Sequence, residues 1–224
     1  MEILPKVHLI PGIIANPYLI VEPEGLTLID TGIPGSEKKI LEYINDLGHS
    51  PTDLKRILLT HSDLDHVGSL PALKQASGAR TFASDIEARA IALGRASRQI
   101  KPASPIRRIM FTLLRFRFKA KPFQVDELLK DGQVLPILGG LRVVETVGHT
   151  PGHISLYAPA LNLLFPGDSM VSDENGLYGS RPANTWDEVK ANESVRKQAA
   201  LGARIVCPGH GPVVTEAENK FPNL

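Results

Sequence analysis

Imidazole and carboxylate side chains cluster in short glycine- and proline-rich loops, each of which follows a strand-like apolar segment. His61 and His66 lie in THSDLDHVG after the segment RILLT, His149 lies in VGHTPGH, and His210 lies in CPGHG. Asp168 occupies the loop FPGDS after the segment NLLF. Binding and catalytic groups concentrate on loops that a rigid scaffold holds in place. We therefore expect a fold in which loops distant in the sequence meet at one place.

The block HSDLDH carries four potential metal ligands within six residues, namely His61, Asp63, Asp65 and His66. Neutral imidazoles and carboxylates bind zinc and other first-row metals. In an extended stretch, residues 61, 63 and 65 project to one side, and a turn at 65–66 redirects His66. One loop could then serve two neighbouring ions. Side chains from other loops would complete their coordination: His149, His210 and Asp168, whose two oxygens make it the natural bridge.

Alternation of apolar residues between turn residues predicts strands, and apolar residues at helical spacing predict helices. The predicted strands are 7–10, 18–21, 26–29, 56–60, 80–83, 134–136, 141–146, 154–158, 163–165 and 204–207. The predicted helices are 36–47, with Ser36 as N-cap and Gly48 after its end, 70–76, 85–93 and 186–201. Strands interspersed with helices in two similar halves favour sheets covered by helices.

Composition narrows the class of protein. The 224 residues carry 25 Lys+Arg and 24 Asp+Glu, a formal net charge of +1, which argues against a wholly basic nucleic-acid binder and a charge-extended disordered chain. The one cysteine, Cys207, excludes an internal disulfide framework and a Cys-rich zinc module. The length suits one domain over 1–224, and no apolar run approaches the ~20 residues of a membrane span. Without a signal-peptide pattern at the amino terminus, we expect a cytoplasmic protein.

The segment 95–123 differs from the rest of the chain, because it holds nine basic residues and no acidic residue, with apolar residues interleaved. Such a stretch can lie on a membrane surface, cap the pocket of an anionic substrate, pack on a partner, or form a connecting helix with a solvated basic face. We expect a lid-like part of the pocket wall that suits an anionic or acyl-bearing substrate. An exposed apolar face could equally form a homodimer interface.

The succession THSDLDHVG, GHTPGH, PGD and PGHG resembles the metallo-β-lactamase superfamily of metallo-hydrolases, from LIDTG to Gly211. The resemblance implies an α+β fold, a four-layer αβ/βα sandwich with the site at one edge between the two sheets. It implies a first metal bound by His61 and His149, with Asp168 bridging to a second metal. The ligands implied for the second metal are Asp65, His66 and His210. Asp30 in LIDTG resembles the family's acid that orients ligands from behind, since a metal-bound imidazole usually donates its other N–H to such a group.

One position departs from the family's usual block His-x-His-x-Asp-His, because Asp63 stands where the second histidine is expected. Either Asp63 replaces an imidazole ligand, or the first metal loses one protein ligand. A third carboxylate beside Asp65 and Asp168 would make the site harder and more anionic, which favours iron or manganese more than an imidazole-rich site would. We expect two divalent metal ions. Zinc is the first candidate, and the third carboxylate makes iron and manganese the alternatives.

The expected reaction is hydrolysis by a metal-bound hydroxide, because two cations lower the pKa of a bound water toward ~7 and polarise a carbonyl. Asp65 would steer the hydroxide or carry a proton to the leaving group, which makes it the expected catalytic residue. We expect a small ester, thioester or lactone as substrate, and no nucleic-acid partner. The alternative, favoured by Asp63, is a non-haem iron oxidoreductase acting on O₂, NO or a sulfur compound. A third hypothesis is a metal-stabilised binding module without turnover.

Two subfamilies of the superfamily fit less well. Only residues 211–224 follow His210, so we do not expect the helical glutathione-binding domain of glyoxalase II enzymes. Acyl-homoserine lactonases carry a tyrosine three residues after the bridging aspartate, where this chain has Val171. Tyr178 could take that role only if the intervening loop folds back.

Overall fold

The first half of the chain forms a seven-stranded sheet. The computed structural model describes residues 1–98 and 120–222. The strands of this first sheet lie side by side in chain order: β1 (Glu2–Leu4), β2 (Val7–Leu9), β3 (Tyr18–Glu22), β4 (Gly25–Ile29), β5 (Leu54–Leu58), β6 (Arg80–Ser84) and β7 (Glu127–Leu129). Strands β1 to β4 pair antiparallel, whereas β4 to β7 pair parallel. Helical crossovers permit this parallel pairing and bring the carboxyl ends of β4, β5 and β6 to one edge.

The second half forms a six-stranded sheet and a separate hairpin. In spatial order the second sheet contains β15 (Val214–Thr215), β14 (Ile205–Pro208), β11 (Leu163–Gly167), β10 (Ile154–Ala158), β9 (Leu141–Glu145) and β8 (Val134–Leu135). Its pairs are antiparallel except β11 with β14. The hairpin consists of β12 (Met170–Asp173) and β13 (Gly176–Gly179).

Helices cover the outer faces of both sheets. The α-helices of the described residues are α1 (Glu37–Asp46), α2 (Leu64–Val67), α3 (Leu70–Ser77), α4 (Asp85–Ala92) and α5 (Glu188–Ala199). Ile40 of α1 and Ile91 of α4 share a buried cluster with Leu28 of the first sheet. Val195 of α5 packs with Leu164 of the second sheet. Within residues 1–98 and 120–222, no helix combines the length and apolarity that crossing a bilayer requires.

The inner faces of the two sheets pack on each other and complete the layers. Tyr18 of β3 meets Phe165 of β11 edge to face, with ring centroids 5.3 Å apart, in a cluster that also holds Leu58 and Leu156. Both sheets thus bury one face against the partner sheet and the other against helices. The expected αβ/βα sandwich is confirmed.

The block HSDLDH departs from its predicted conformation. It is not extended through residue 65, because α2 begins at Leu64 and Asp63 stands at its N-cap position with φ −66° and ψ 145°. The helical turn places Asp65 near His66 and His210, whereas His61 and Asp63 lie near His149. Prediction from alternation failed here because a four-residue helix is too short to produce a helical repeat in the sequence.

Other predicted elements agree with the structure to within two residues at their ends, as with α1, which Gly48 follows at φ +81°. Helix α5 begins at Glu188 rather than 186, since the Asp187 side chain accepts a hydrogen bond from the Lys190 backbone N–H. Strands β1, β7, β12, β13 and β15 were not predicted, because two to four residues carry too little alternation. Most of the expected lid-like segment, residues 99–119, lies outside the described residues.

The loop before His149 depends on a close approach to α5. Gly148 has φ +144°, and a methyl group on its Cα would overlap the backbone of Ala191. Gly176 has nearly the same backbone angle, φ +149°, but a methyl group there would meet no atom within 4 Å. The two glycines therefore separate the effect of overlap from the effect of backbone strain.

We expect Gly148→Ala to lower the free energy of unfolding by roughly 1–3 kcal/mol more than Gly176→Ala, because only the former forces two backbone segments apart. Urea denaturation of both variants measures the difference. Equal losses would mean that α5 does not constrain the loop.

Candidate metal centre

The seven sequence-predicted ligands come together at one edge of the sandwich, in loops that follow β5, β9, β11 and β14. Three of them form what we call the first cluster: His61, Asp63 and His149. Their ligand atoms lie within 4.8 Å of one another. Asp63 Oδ2 is 3.7 Å from His61 Nε2 and 3.3 Å from His149 Nε2. All three residues are buried.

The second cluster consists of Asp65, His66 and His210, whose ligand atoms also lie within 4.8 Å of one another. His210 Nε2 is 3.3 Å from Asp65 Oδ2, and both side chains are about one-third exposed. The second cluster is therefore the side of the site that faces solvent, although His66 itself is fully buried.

Asp168 contacts both clusters. Its Oδ1 lies 3.3 Å from His66 Nε2, whereas its Oδ2 lies 3.6 Å from His149 Nε2 and 3.3 Å from His210 Nε2. Asp168 therefore lies between the two clusters. The Asp168 backbone N–H is fixed from behind by a hydrogen bond to His153 Nε2 at 3.1 Å.

Several buried polar atoms at the centre of the site have no hydrogen-bond partner. Among the described residues these include His61 Nε2, His66 Nε2, Asp63 Oδ1 and Asp168 Oδ1. Buried polar atoms in native proteins are nearly always paired, so a group of orphans in one place calls for a ligand. Imidazole nitrogens and carboxylate oxygens that face one another without bonding fit a divalent cation of the zinc, iron or manganese type.

The electrostatics of the metal-free site indicate crowded opposite charges. Burial acts to lower the pKa of His210, but hydrogen bonds with Asp168 and Asp65 outweigh it and raise that pKa to about 9. Burial also opposes the charge of His66, yet Asp168 and Asp30 hold its pKa well above the usual value. Burial acts to raise the pKa of Asp168, and the charge of His66 with the close contact of His210 and the charge of His149 keeps it well below the usual range. The carboxylates are therefore ionised and stand ready to bind a cation.

The far nitrogens of the imidazoles are held by groups behind the site. Asp30, in a left-handed conformation at φ +59°, accepts hydrogen bonds from His66 Nδ1 at 2.8 Å and from the Thr60 hydroxyl at 2.8 Å. That hydroxyl in turn lies 2.9 Å from His61 Nδ1, and Ser180 Oγ lies 2.8 Å from His149 Nδ1. Each Nε2 is thereby directed toward the clusters. Asp30 stands in the orienting position that its sequence context indicates.

Glu87 of α4 is a component that sequence reasoning missed. Its fully buried carboxylate accepts hydrogen bonds at 2.7–2.9 Å from four groups: the Ser62 and Gly152 backbone N–H groups and the Thr150 and Ser97 hydroxyls. It therefore ties the HSDLDH loop to the GHTPGH loop. In the sequence, Ser84 and Glu87 have the spacing of an ordinary helix capping box, which gives no sign of these long-range contacts.

Arg98 is the second missed component. Its side chain is 6% exposed, and its Nη2 lies 2.5 Å from Asp63 Oδ2. In the sequence it is one of nine basic residues in the segment 95–123, and nothing distinguishes it from the others. A contact between residues 35 positions apart is set by the fold.

A cavity of about 220 Å³ opens onto the clusters. Its lining combines Asp63, Asp65, His149, Asp168 and His210 with Arg98, Val171, Ser180, Arg181 and Asn184. Hairpin β12–β13 does fold back and pairs Tyr178 with Val171, but Tyr178 is 42% exposed and is not among the described residues that line the cavity. The tyrosine characteristic of lactonases thus has no counterpart in the cavity lining given by residues 1–98 and 120–222.

The His210 loop is attached to the amino-terminal strands. The Asn16 side-chain amide donates to the carbonyl oxygens of Pro208 and Gly211 at 3.0 and 2.7 Å. The Tyr18 hydroxyl also donates to the Pro208 carbonyl, at 2.7 Å. The last loop of the site is therefore positioned by residues near the start of the chain.

The sequence model of the metallo-beta-lactamase superfamily matches residues 10–210. The chain belongs to the metallo-β-lactamase superfamily, and it is a metal-dependent hydrolase. Members of this superfamily bind divalent metals, and the His and Asp clusters described above could hold such ions.

Relatives with known names are similar over much of the chain. Uncharacterized protein YobT of Bacillus subtilis (strain 168) is 33% identical over 88% of this chain and 82% of its own. The probable metallo-hydrolase YflN of the same strain is 29% identical over 93% of this chain and 85% of its own. Hydroxyacylglutathione hydrolase of Rhodobacter capsulatus is 29% identical over 75% of this chain, which matches 52% of that relative. Among solved structures, the metallo-beta-lactamase family protein TTHA1429 from Thermus thermophilus superposes with a TM-score of 0.76 at 27% identity, covering 98% of this chain and 78% of that one.

We expect Glu87→Gln to lower the free energy of unfolding by about 1–3 kcal/mol, because the amide nitrogen would face hydrogen-bond donors in a buried place. Zinc affinity should fall about tenfold as the two loops loosen. Thermal unfolding and zinc titration measure both effects. Glu42→Gln, an exposed change on α1, is the control; wild-type zinc affinity in Glu87→Gln would show that the carboxylate does not hold the loops in place.

Proposed function

We propose that the protein is a dinuclear metallo-hydrolase of a small ester, thioester or lactone. In this proposal the first cluster, His61, Asp63 and His149, holds one ion. The second cluster, Asp65, His66 and His210, would hold the other, and Asp168 would be shared between them. The observation that carries the proposal is the group of orphaned, buried imidazole nitrogens and carboxylate oxygens within the two clusters and on Asp168.

Two divalent cations, zinc first with iron or manganese as alternatives, would supply a water of lowered pKa and would polarise the substrate's carbonyl. The remaining tasks belong to the chain. Asp65, partly exposed at the cavity, carries a proton from the attacking water to the leaving group. Asp30, Thr60 and Ser180 keep the imidazoles oriented throughout.

The cavity favours a compact substrate that carries negative charge. Its volume of about 220 Å³ suits a small acyl group better than a large one. Arg181 and Asn184 lie at the exposed rim, where a guanidinium and an amide can bind a carboxylate or phosphate on the substrate. The segment 95–123, through Arg98, would add a further part of the wall.

Among the three substrate classes, a thioester comes first. One relative is named a hydroxyacylglutathione hydrolase and thus acts on an acylated thiol. The match spans about half of that enzyme. The proposal therefore specifies an acylated thiol as substrate, and a panel of thioesters would identify the thiol that carries the acyl group. We prefer hydrolysis to the iron-dependent oxidation because relatives with named activities are hydrolases.

The proposed function is tested by counting metals and measuring hydrolysis together. Protein purified without chelators should contain about two ions per chain and should cleave an S-acyl thiol, a p-nitrophenyl ester or a γ-lactone. Asp168→Asn should lose at least one ion. It should also reduce kcat/KM by more than about 100-fold, because a proposed ligand should matter more than a residue that only orients a ligand, and loss of such an orienting residue costs up to about 100-fold. Asp173→Asn, an exposed change on β12, should alter neither quantity. Full metal content and activity in Asp168→Asn would refute the bridging role.

Metal uptake should release protons, because imidazole binds metal only after losing its proton and the pKa of His210 in the metal-free site is about 9. At pH 7 we expect at least one proton released per chain, and the zinc affinity of the second cluster should rise about tenfold per pH unit up to pH ~9. Calorimetric titration in buffers of different ionisation enthalpy counts these protons. His210→Gln should lower the release by about one proton, whereas His49→Gln, outside the site, should leave it unchanged; an affinity independent of pH would contradict the assignment of His210.

A further inference from the structure

Arg98 brings a permanent positive charge into the first cluster. Its Nη2 lies 2.5 Å from Asp63 Oδ2 and 3.5 Å from His149 Nε2. These are two of the three atoms that would hold the first ion. A guanidinium therefore already contacts the ligand atoms that a metal would need.

We propose that Arg98 is an internal counter-cation of the first cluster, which pairs with Asp63 in the metal-free protein and must withdraw before an ion binds there. The second cluster then fills first, and Arg98 weakens loading of the first. This inference rests on the proposed dinuclear function and specifies the order in which its two positions are occupied.

The charges of the two clusters differ in kind. The ion pairs of Asp65 and Asp168 in this site are with imidazoles, namely His66, His149 and His210. An imidazole can lose its proton and become a ligand. These pairs can therefore bind a metal without any cationic side chain having to move away. Arginine cannot be deprotonated in a protein. The cation on Asp63 must therefore be moved aside, in a buried place where little water screens its repulsion of a second cation.

Charge balance explains why the pair exists at all. Asp63 adds one negative charge where the family's usual block has a neutral imidazole, and Arg98 restores neutrality in the metal-free protein. A buried carboxylate without a partner would be costly. The pair is nonetheless incomplete, because Arg98 Nε is buried without a hydrogen-bond partner among the described residues. A permanent arginine–carboxylate pair is typically bidentate and satisfied, whereas this one can open at lower cost.

The hydrogen bonds of Ser97 position Arg98 at the site. The Ser97 backbone N–H donates to Ser62 Oγ at 2.8 Å, and the Ser97 hydroxyl donates to Glu87 Oε1 at 2.8 Å. Glu87 also holds the loops that carry Asp63 and His149. The backbone at residue 97 is thus fixed relative to the first cluster. Rotation of the long Arg98 side chain alone can therefore make or break its contact with Asp63.

The test isolates the first cluster by placing every variant in a His210→Ala background, which disables the second. Zinc affinity is then measured by competition with a chromophoric chelator. We expect Arg98→Gln to bind zinc at least tenfold more tightly than the background protein. Arg181→Gln removes an equal charge from the rim of the same cavity without contacting Asp63, and it should change the affinity less than threefold. Zinc binding that is unchanged or weaker in Arg98→Gln would overturn the proposal and make Arg98 a positioning residue for Asp63.

A second measurement begins with the wild-type chain, for which the expected result does not depend on the folding of any variant. Zinc titration should resolve two steps whose dissociation constants differ at least tenfold, and two equal steps would overturn the proposed order. In Arg98→Gln the two steps should converge, and the metal-free protein should melt at a lower temperature that zinc restores. If neither protein bound zinc, iron or manganese, the proposed function itself would fail. Two ions bound with no effect of Arg98 would remove only this inference.

Discussion

The buried carboxylates of Asp30 and Glu87 hold the site together, because each binds loops that come from different strands. Asp30 connects the end of β4 to Thr60 after β5 and to His66 on α2. Glu87 connects α4 to the loops that carry Asp63 and His149. Neither side chain reaches the cavity, yet both fix the orientation of groups that do. The rigidity of the sheets is transmitted to the imidazoles through these two acids.

The parts of this protein that the sequence predicts are those encoded by local pattern. Strands such as β3 and β10, the helix α1 and the motif residues His61, His149, Asp168 and His210 stand out through alternation, spacing or loop chemistry. The short helix α2, the hairpin β12–β13 and the contacts of Glu87 and Arg98 do not. Those features depend on which segments the fold brings together, as when Arg98 meets Asp63 across 35 positions. One basic residue among nine carries no mark of that contact in the sequence.

The site concentrates charges that would be unstable apart. Asp63, Asp168 and His66 are buried. In the metal-free protein the negative charges of the carboxylates are balanced by ion pairs with imidazoles and with Arg98. The same imidazoles leave orphaned nitrogens when they face one another. Both facts are what the proposed binding of a cation by these groups would produce. The fold supplies the stability that this arrangement lacks through the apolar cores on both sides of each sheet.

The attachment of the Pro208–Gly211 turn to Asn16 and Tyr18 has a consequence for biosynthesis. His66 and His210 are 144 positions apart, so a ribosome adding ~5–20 residues per second needs roughly 7–30 s to pass from one to the other. During that interval β3 can pair with its neighbours, but the turn to which the Asn16 amide donates does not yet exist. Until that turn is synthesised, the donors of the Asn16 and Tyr18 side chains lack the acceptors that they have in the folded protein. The loop that carries His210 joins the other loops of the site only after this point, so the candidate ligands come together late in synthesis.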